Sequence, residues 1–344
     1  METTIQQTSV PGAVYTPIVR QAVPEIMPVP IFQQSPMESS PRAFIEANTK
    51  EVTLQHLTED CIIPVFSKDN EVTISHQTFI DTVVDAAYQV FPHEEIATPA
   101  IRVSHVVKGR IPEAIHKPVN QLLESDKTIY YERMMFCVEI PTIFEDIDGS
   151  RLSLTVGGVR AYNEQNLYAK KSPEKFKIFI GFKNMVCCNL CVSTDGYKSS
   201  LRVMDASALL AAAIELFRGY DMVRHMALMS AYRNLAISES QFAQLLGKCR
   251  LYQYLPSARK KEIPELLMTD TQIGIVAKSF FDDRHFGIGD ASALSLWKLF
   301  NLFTGSNKIS YIDNFLDRAK NATDVTTGLA MALRGDARYA WFLQ

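Results

Sequence analysis

The sequence predicts an α+β protein in which a β-rich N-terminal half, with an antiparallel or mixed sheet, precedes a helical C-terminal half. Two observations lead to this class. The longest apolar, β-branched and aromatic run spans Lys175 to Val192, and further β-rich runs lie before it. After Asp205 apolar residues recur at helical spacing. With 344 residues, 47% of them apolar and 21% charged, the chain can bury the core of a soluble globular protein.

The first 42 residues (1–42) are predicted to form a disordered or extended tail. Seven of the sixteen prolines lie there, mixed with Gln, Ser and Thr. Proline fixes φ and lacks a backbone N–H, so this composition opposes a helix or a central strand. Within the tail, Pro24 to Phe32 fits two interpretations, a docking peptide of polyproline II type or part of a plain leader.

Residues 43–204 are predicted to form a β-rich domain that contains one well-marked helix. Ser75 is a good N-cap for this helix, and apolar residues recur at helical spacing as far as Val90. His76 and His93 flank the helix and are expected at the surface.

Strands are predicted where β-branched and aromatic residues cluster. They span Cys61 to Phe66, Ile101 to Val107, Thr128 to Ile140, Arg151 to Tyr162 and Leu201 to Val203. The Asp148-Gly149 pair predicts a tight hairpin turn. Gly157 and Gly158, inside a strand, indicate a bulge or the close approach of another backbone.

The run from Lys175 to Val192 is predicted to be one central strand. Its first half alternates between two faces, one with Phe176, Ile178 and Ile180 and the other with Lys177, Phe179 and Gly181. Its second half is apolar on both faces, so we expect the sheet to be covered on both sides here.

Residues 205–344 are predicted to form a helical region packed on the β-rich domain. The predicted helices span Asp205 to Phe217, Asp221 to Leu235, Ser238 to Leu246, a segment capped at Thr269 or Asp270, Ala291 to Phe303, Tyr311 to Ala319 and Thr323 to Leu333. Ser238 and Gln241 form a capping box, and Gly247 is the expected stop of that helix.

Sequence signatures of common enzyme classes are missing. The chain has no P-loop, no GxGxxG after a strand, no HExxH and no GxSxG. Asp282 to His285 is the densest group of titratable residues. It fits either a metal or general-base site or a solvated helix end before a Gly-rich turn.

The cysteine group Cys187, Cys188 and Cys191 is interpreted as core thiols. A zinc site needs four ligands, and the chain has no second paired motif to complete one. The alternatives are a metal site completed by Cys137, Cys249 or a histidine, and a reactive thiol. Asn184 and Asn189, in the same run, would either fix strand register or face a ligand.

Basic residues interleaved with aromatic ones predict a site for single-stranded nucleic acid. The candidates are Lys170, Lys171, Lys175, Lys177 and Lys183 with Tyr168, and a second basic knot of Arg259, Lys260 and Lys261. Between Glu164 and Lys183 five lysines stand against two acidic residues, a local charge of +3 in a chain of net charge −3. Single-strand binders combine phosphate neutralisation with base stacking in this way. The other interpretation is a set of ordinary solvated lysines.

Four blocks of the sequence resemble an uncharacterised bacterial family, domain of unknown function 3871. They are Leu154 to Tyr168 (LTVGGVRAYNEQNLY), Phe176 to Gly196 (FKIFIGFKNMVCCNLCVSTDG), Gln241 to Pro256 (QFAQLLGKCRLYQYLP) and Trp297 to Thr304 (WKLFNLFT). More distantly, Val186-Cys-x-Asn189 followed by the Trp297 block resembles the phage/plasmid-like family 932, although the Gly that follows in that family is Leu190 here. The resemblance implies a cytoplasmic protein from mobile elements, with no catalytic residues to transfer.

The residues and the resemblance together predict a non-enzymatic accessory protein of a bacterial phage, plasmid or conjugative element. It is expected in the cytoplasm, in contact with single-stranded nucleic acid or a protein partner and with no membrane, and no cofactor or metal is expected. One alternative is a protein-interaction factor that binds a host defence or replication protein. A second is a metal- or thiol-dependent enzyme, in which Cys188, Cys191 or His285 would converge in a pocket.

Overall fold

The computed structural model of the chain describes residues 43–61, 73–114, 116–165 and 172–344. In these residues a six-stranded antiparallel sheet of the N-terminal half is followed by a helical C-terminal half, which confirms the predicted α+β class. The predicted tail, including Pro24 to Phe32, and nearly all of the strand predicted from Cys61 to Phe66 lie outside the described residues.

The strands are β1 Lys50–Val52, β2 Ala100–Val103, β3 Val106–Arg110, β4 Lys127–Tyr131, β5 Arg133–Ile147, β6 Ser150–Ala161, β7 Glu174–Asn184, β8 Leu190–Val203, β9 Ala236–Ser238 and β10 Ala293–Ser295. The main sheet has the order β1-β2-β5-β6-β7-β8, and β3-β4 and β9-β10 form separate pairs. The predicted turn joins β5 to β6, with positive φ at Asp148 (52°) and Gly149 (74°).

The helices are α1 Leu54–Glu59, α2 His76–Val90, α3 Ala206–Gly219, α4 Met222–Ala231, α5 Glu239–Tyr254, α6 Ser257–Lys260, α7 Asp270–Asp282, α8 Leu296–Ser306 and α9 Ile312–Leu333. No helix among the described residues is long and apolar enough to cross a membrane.

Four helix predictions differ from the structure by a turn or more. The helix predicted to end at Leu235, α4, ends at Ala231 and is followed by a 3-10 turn over Tyr232–Asn234. The helix expected to stop at Gly247 continues to Tyr254, because burial of Cys249 and Tyr252 outweighs the cost of about 1 kcal/mol for an internal glycine. The two helices predicted between Tyr311 and Leu333 are one helix, α9. The helix predicted from Ala291 begins at Leu296, after the short strand β10.

The run from Lys175 to Val192 is a hairpin rather than one strand. The Asn184 side chain accepts a hydrogen bond of 2.9 Å from the backbone N–H of Val186, and the Cys188 N–H donates to the Asn184 carbonyl at 2.7 Å. Cys188 has φ of 59°. The turn is therefore built by an Asx-type contact and a left-handed cysteine, without the glycine or proline that marks most turns.

Helices cover both faces of the sheet, as the apolar second half of the run from Lys175 to Val192 predicts. On one face Phe79 of α2 lies 5.2 Å from Phe136 and 4.7 Å from Phe176, measured between ring centroids. A Cβ at Gly158 would stand 2.4 Å from the Phe79 ring and 2.6 Å from the Lys177 carbonyl, and one at Gly157 would stand 2.1 Å from the Phe136 carbonyl. These glycines therefore permit the predicted close approach of neighbouring backbone, and also that of a side chain. On the other face Phe179 packs in one cluster with residues of α9. Pro41–Gln344 forms one compact unit.

Candidate functional site

The described lysines of β7 are each paired with carboxylates. Lys175 pairs with Glu164, Lys177 with Glu164 and Asp317, and Lys183 with Glu139. Two of these three carboxylates come from β5 and α9, so the three described lysines of β7 meet three acids. Tyr168, Lys170 and Lys171 lie outside the described residues.

The second basic group lies on α6 and is largely exposed. The Arg259 side chain is 60% exposed and its Nε stands 3.7 Å from Glu262. Lys260 Nζ donates to the carbonyl of Gln253 at 2.9 Å, and Lys261 is exposed. Lys260 also lies over the Tyr252 ring, 5.5 Å from its centroid. The single contact of Arg259 leaves guanidinium N–H groups directed to solvent, so Arg259 and Lys261 remain available to a ligand.

The extension of α5 to Tyr254 adds further groups beside α6. Tyr254 is 80% exposed, and Arg250, one turn before it on the same helix face, is 58% exposed and pairs with Asp270 at 2.8 Å. From Lys248 to Glu262 five basic residues stand against one acid, a local charge of +4. We call the group Arg250, Tyr254, Arg259, Lys260 and Lys261 the basic corner.

The asparagines of the β7–β8 hairpin hold it to α8. Asn184 Nδ2 donates to Asn301 Oδ1 at 3.0 Å, and Asn189 Nδ2 donates to the Asn301 carbonyl at 3.0 Å. All three residues are buried. Of the two predicted roles, this arrangement supports fixing the strand register.

The cysteine group is split between packing environments. Cys187 and Cys191 are buried, and burial raises the pKa of Cys187 to about 12 and that of Cys191 well above its usual range. Cys188 is half-buried at the turn. The described residues contain no group of three or more His, Cys, Asp or Glu arranged to hold a metal ion.

Asp282 to His285 ends α7. Asp283 Oδ1 accepts hydrogen bonds of 2.9 Å from the backbone N–H groups of His285 and Phe286, and the His285 side chain is exposed. Of the two interpretations, this arrangement supports a solvated helix end.

A buried polar group surrounds His76, and no sequence pattern predicted it. His76 is 5% exposed, so its predicted surface position is wrong, whereas His93 is exposed as expected. Its Nε2 lies 2.8 Å from the carbonyl of Tyr131. Burial, reinforced by the nearby charge of Arg160, lowers the pKa of His76 to about 3. The first turn of α2 faces the sheet. A position next to the N-cap does not by itself show whether a side chain points to the sheet or to solvent.

Arg160 is the centre of this group and is fully buried. It forms an ion pair with Glu174 and donates to the carbonyl of Ile74. Its guanidinium carbon lies 4.6 Å from the Tyr162 ring centroid and 4.5 Å from that of Phe176. The alternation of side chains along β6 indicates that Arg160 is buried, because it places residue 160 on the same inward face as Gly158.

A cavity of about 520 Å³ lies between β8, α4 and α9. Asp195, Glu265 and Asp324 line it together with Arg224 and several hydroxyl groups. Burial opposes ionisation of Asp195, but hydrogen bonds from Ser193 and the Asp221 N–H hold its pKa below the usual range. No sequence motif marked this site, because its walls come from segments far apart in the chain.

Comparison with protein families identifies the family of the chain. A family model described as "Domain of unknown function, B. Theta Gene description (DUF3871)" matches residues 30–343, which confirms the first resemblance. No curated protein and no solved structure gives a significant match.

Proposed function

The chain belongs to the DUF3871 family, and from this premise we propose that it is a non-enzymatic accessory protein that contacts single-stranded nucleic acid through its basic corner. We further propose that it serves a bacterial mobile element in the cytoplasm. That setting extends the distant resemblance to the phage/plasmid-like family 932, which is itself part of the proposal. The six free cysteines suit a reducing compartment.

One observation carries the proposal, the exposed ring of Tyr254 beside exposed cations. A ring that is 80% exposed can stack on a base. Arg259 and Lys261 are exposed and can neutralise phosphates. The β7 lysines lack this freedom because carboxylates already neutralise them. The proposed interface therefore lies on α5 and α6.

The alternative of a protein partner would be supported by one large exposed apolar patch on the helical half. The exposed apolar side chains of the two helices lie instead in two places, Leu251 with Tyr254 on α5 and Phe281 on α7. Arg250 pairs with Asp270 while Phe242 stacks on Phe280 at 4.2 Å, so the two helices run antiparallel. Phe281 and Tyr254 therefore lie at opposite ends of the helix pair.

The test is fluorescence anisotropy with a labelled single-stranded oligonucleotide at several salt concentrations. About three neutralised phosphates give a slope of log K against log salt near −2, with micromolar affinity. Replacing Arg259 and Lys261 by Ala should reduce the slope by roughly 1.4. Tyr254→Ala should weaken binding about tenfold and leave the slope unchanged, because stacking releases no counterions.

The matched control replaces Arg202 and Arg218, two exposed arginines outside the basic corner, by Ala. An equal loss in this control would mean that bulk charge alone attracts the oligonucleotide. Absence of binding at low salt up to about 100 μM protein would refute nucleic-acid contact and leave the protein-partner alternative.

A further inference from the structure

The cavity between β8, α4 and α9 has the size of a small-molecule site. Its volume of about 520 Å³ lies within the range of about 300–1,000 Å³ that such sites occupy. The deep part includes buried Ser193 and Thr323, and the rim includes exposed Asp195 and Arg224. The space is far larger than a single ion requires, so its occupant would be an organic molecule.

The charge of the lining is negative. Three carboxylates, those of Asp195, Glu265 and Asp324, stand against the single lining cation Arg224, a formal balance of −2. Lys320, which pairs with Asp324 at 2.7 Å, offsets part of this. Among the described residues the Glu265 carboxylate has no hydrogen-bond or ion-pair partner. A negative cavity with an unpaired carboxylate favours a cationic ligand.

His225 provides an independent sign of a ligand. It lines the cavity, is 2% exposed, and its Nδ1 lies 2.6 Å from the Tyr220 hydroxyl. The other ring nitrogen, Nε2, is buried and has no hydrogen-bond partner in the described part of the chain. Burial lowers the pKa of His225 to about 4, so the imidazole is neutral. In the tautomer whose Nδ1–H donates to the Tyr220 hydroxyl, Nε2 can accept from an N–H donor.

An aromatic wall completes the site. The Tyr339 ring packs directly on Gly328, where a Cβ would stand 1.9 Å from a ring carbon. Both residues line the cavity, together with the apolar side chains of Leu228 and Met331. An aromatic face attracts ammonium groups, and apolar side chains accommodate methylene chains.

We propose that this cavity binds a small aliphatic di- or polyamine. Asp195 on β8, Glu265 before α7 and Asp324 on α9 come from three separate segments, so they suit a molecule with several separated ammonium groups better than a single charge. The methylene segments would lie along Leu228 and Met331. This site is distinct from the basic corner and does not depend on the proposed contact with nucleic acid.

Isothermal titration of the full chain with spermidine tests the proposal. We expect saturable binding of one spermidine per chain, and no binding of inorganic phosphate. The double variant Asp195→Asn/Asp324→Asn, which keeps the shapes of both side chains, should weaken binding about tenfold or more, because hydrogen bonds to charged groups are lost. Tyr339→Leu should weaken it without any change of charge.

The matched control, Glu145→Gln/Asp290→Asn, removes two exposed carboxylates elsewhere and should bind spermidine like the unmodified chain. Arg259→Ala/Lys261→Ala should also keep spermidine binding, which separates this site from the basic corner. Equal loss in the control, absence of spermidine binding, or binding of phosphate in its place would each overturn the proposal. Circular dichroism of every variant identifies any that fails to fold, and the Tyr339 variant and the carboxylate pair then serve as independent tests.

Discussion

Lys177 of β7 and Asp317 of α9 form an ion pair of 2.9 Å that joins the sheet to the helix covering it. The Lys177 side chain is 7% exposed and also donates to the backbone carbonyl of Asp313. A lysine that local sequence marked as a phosphate ligand therefore holds two elements of the fold together.

Lys177→Ala should lower the free energy of unfolding by about 2 kcal/mol, because it leaves Asp317 and the Asp313 carbonyl without their charged donor. Asp317 is 32% exposed, which keeps the effect below that of a fully buried pair. Urea denaturation measures the change. Lys198→Ala is the control, since its partner Glu215 is 76% exposed and such surface pairs contribute about 0–1 kcal/mol. Equal effects in the two variants would contradict a structural role for Lys177.

The Arg160–Glu174 pair should show strong coupling. Glu174→Gln leaves the fully buried Arg160 charge without its carboxylate and should cost about 3–5 kcal/mol. Arg160→Met/Glu174→Met removes both charges and should cost less than the single change, because no uncompensated charge remains. Denaturant titrations of Arg160→Met, Glu174→Met and the double variant give the coupling. Additive effects would show that the pair does not act as a unit.

The cysteines should react with iodoacetamide in an order set by burial. At about pH 8, half-buried Cys188 should react first and Cys61 more slowly, because burial raises the pKa of Cys61 to about 11. The buried thiols Cys137, Cys187, Cys191 and Cys249 should react only after unfolding. Timed labelling followed by peptide mass spectrometry gives the order. Rapid labelling of Cys191 in the native protein would be inconsistent with its place in the core.

The buried histidines should make the fold sensitive to acid. The folded-state pKa values of His76, about 3, and His225, about 4, lie below the unfolded value of about 6.5. Between these limits the unfolded state binds more protons, so stability should fall as the pH decreases from about 6.5 toward 4. His76→Gln/His225→Gln should flatten the dependence of the urea midpoint on pH, whereas His93→Gln, at an exposed position, should not. An unchanged slope in the double variant would contradict this assignment.

Gly328→Ala should have opposite effects in two backgrounds. In the native chain the new Cβ meets the Tyr339 ring at 1.9–2.2 Å and should destabilise the protein. With Tyr339→Ala already present the space is open, and the better helix propensity of Ala should stabilise the protein by about 1 kcal/mol. Calorimetry of the four proteins measures both effects. The same sign in both backgrounds would show that the ring does not determine the outcome.

Four helix starts were predictable because they depend on neighbouring residues. At Ser75, Asp205, Ser238 and Thr269 the cap side chain accepts from the backbone N–H three residues later, as the sequence pattern requires. The alternation in β7 likewise predicted which side chains share a face. Both predictions depend only on residues that lie within a few positions of one another in the sequence.

The candidate sites depend on contacts that local sequence does not contain. The charge count around β7 omitted Glu139 and Asp317, which approach from other elements. The turn between β7 and β8 was not predicted, because Cys188 adopts a left-handed conformation that is usual for glycine or asparagine. The cavity joins β8, α4 and α9, so no single stretch of sequence could reveal it.

The bond between Asn184 and Asn301 also bears on how the chain folds as the ribosome makes it. The two residues are 117 positions apart, so the turn between β7 and β8 gains its buried partner only after α8 has been synthesised. The sheet face that carries Phe179 is covered later still, once α9 has been synthesised. We expect a nascent chain stalled before α9 to remain sensitive to protease, because this apolar sheet face has no cover until α9 is made.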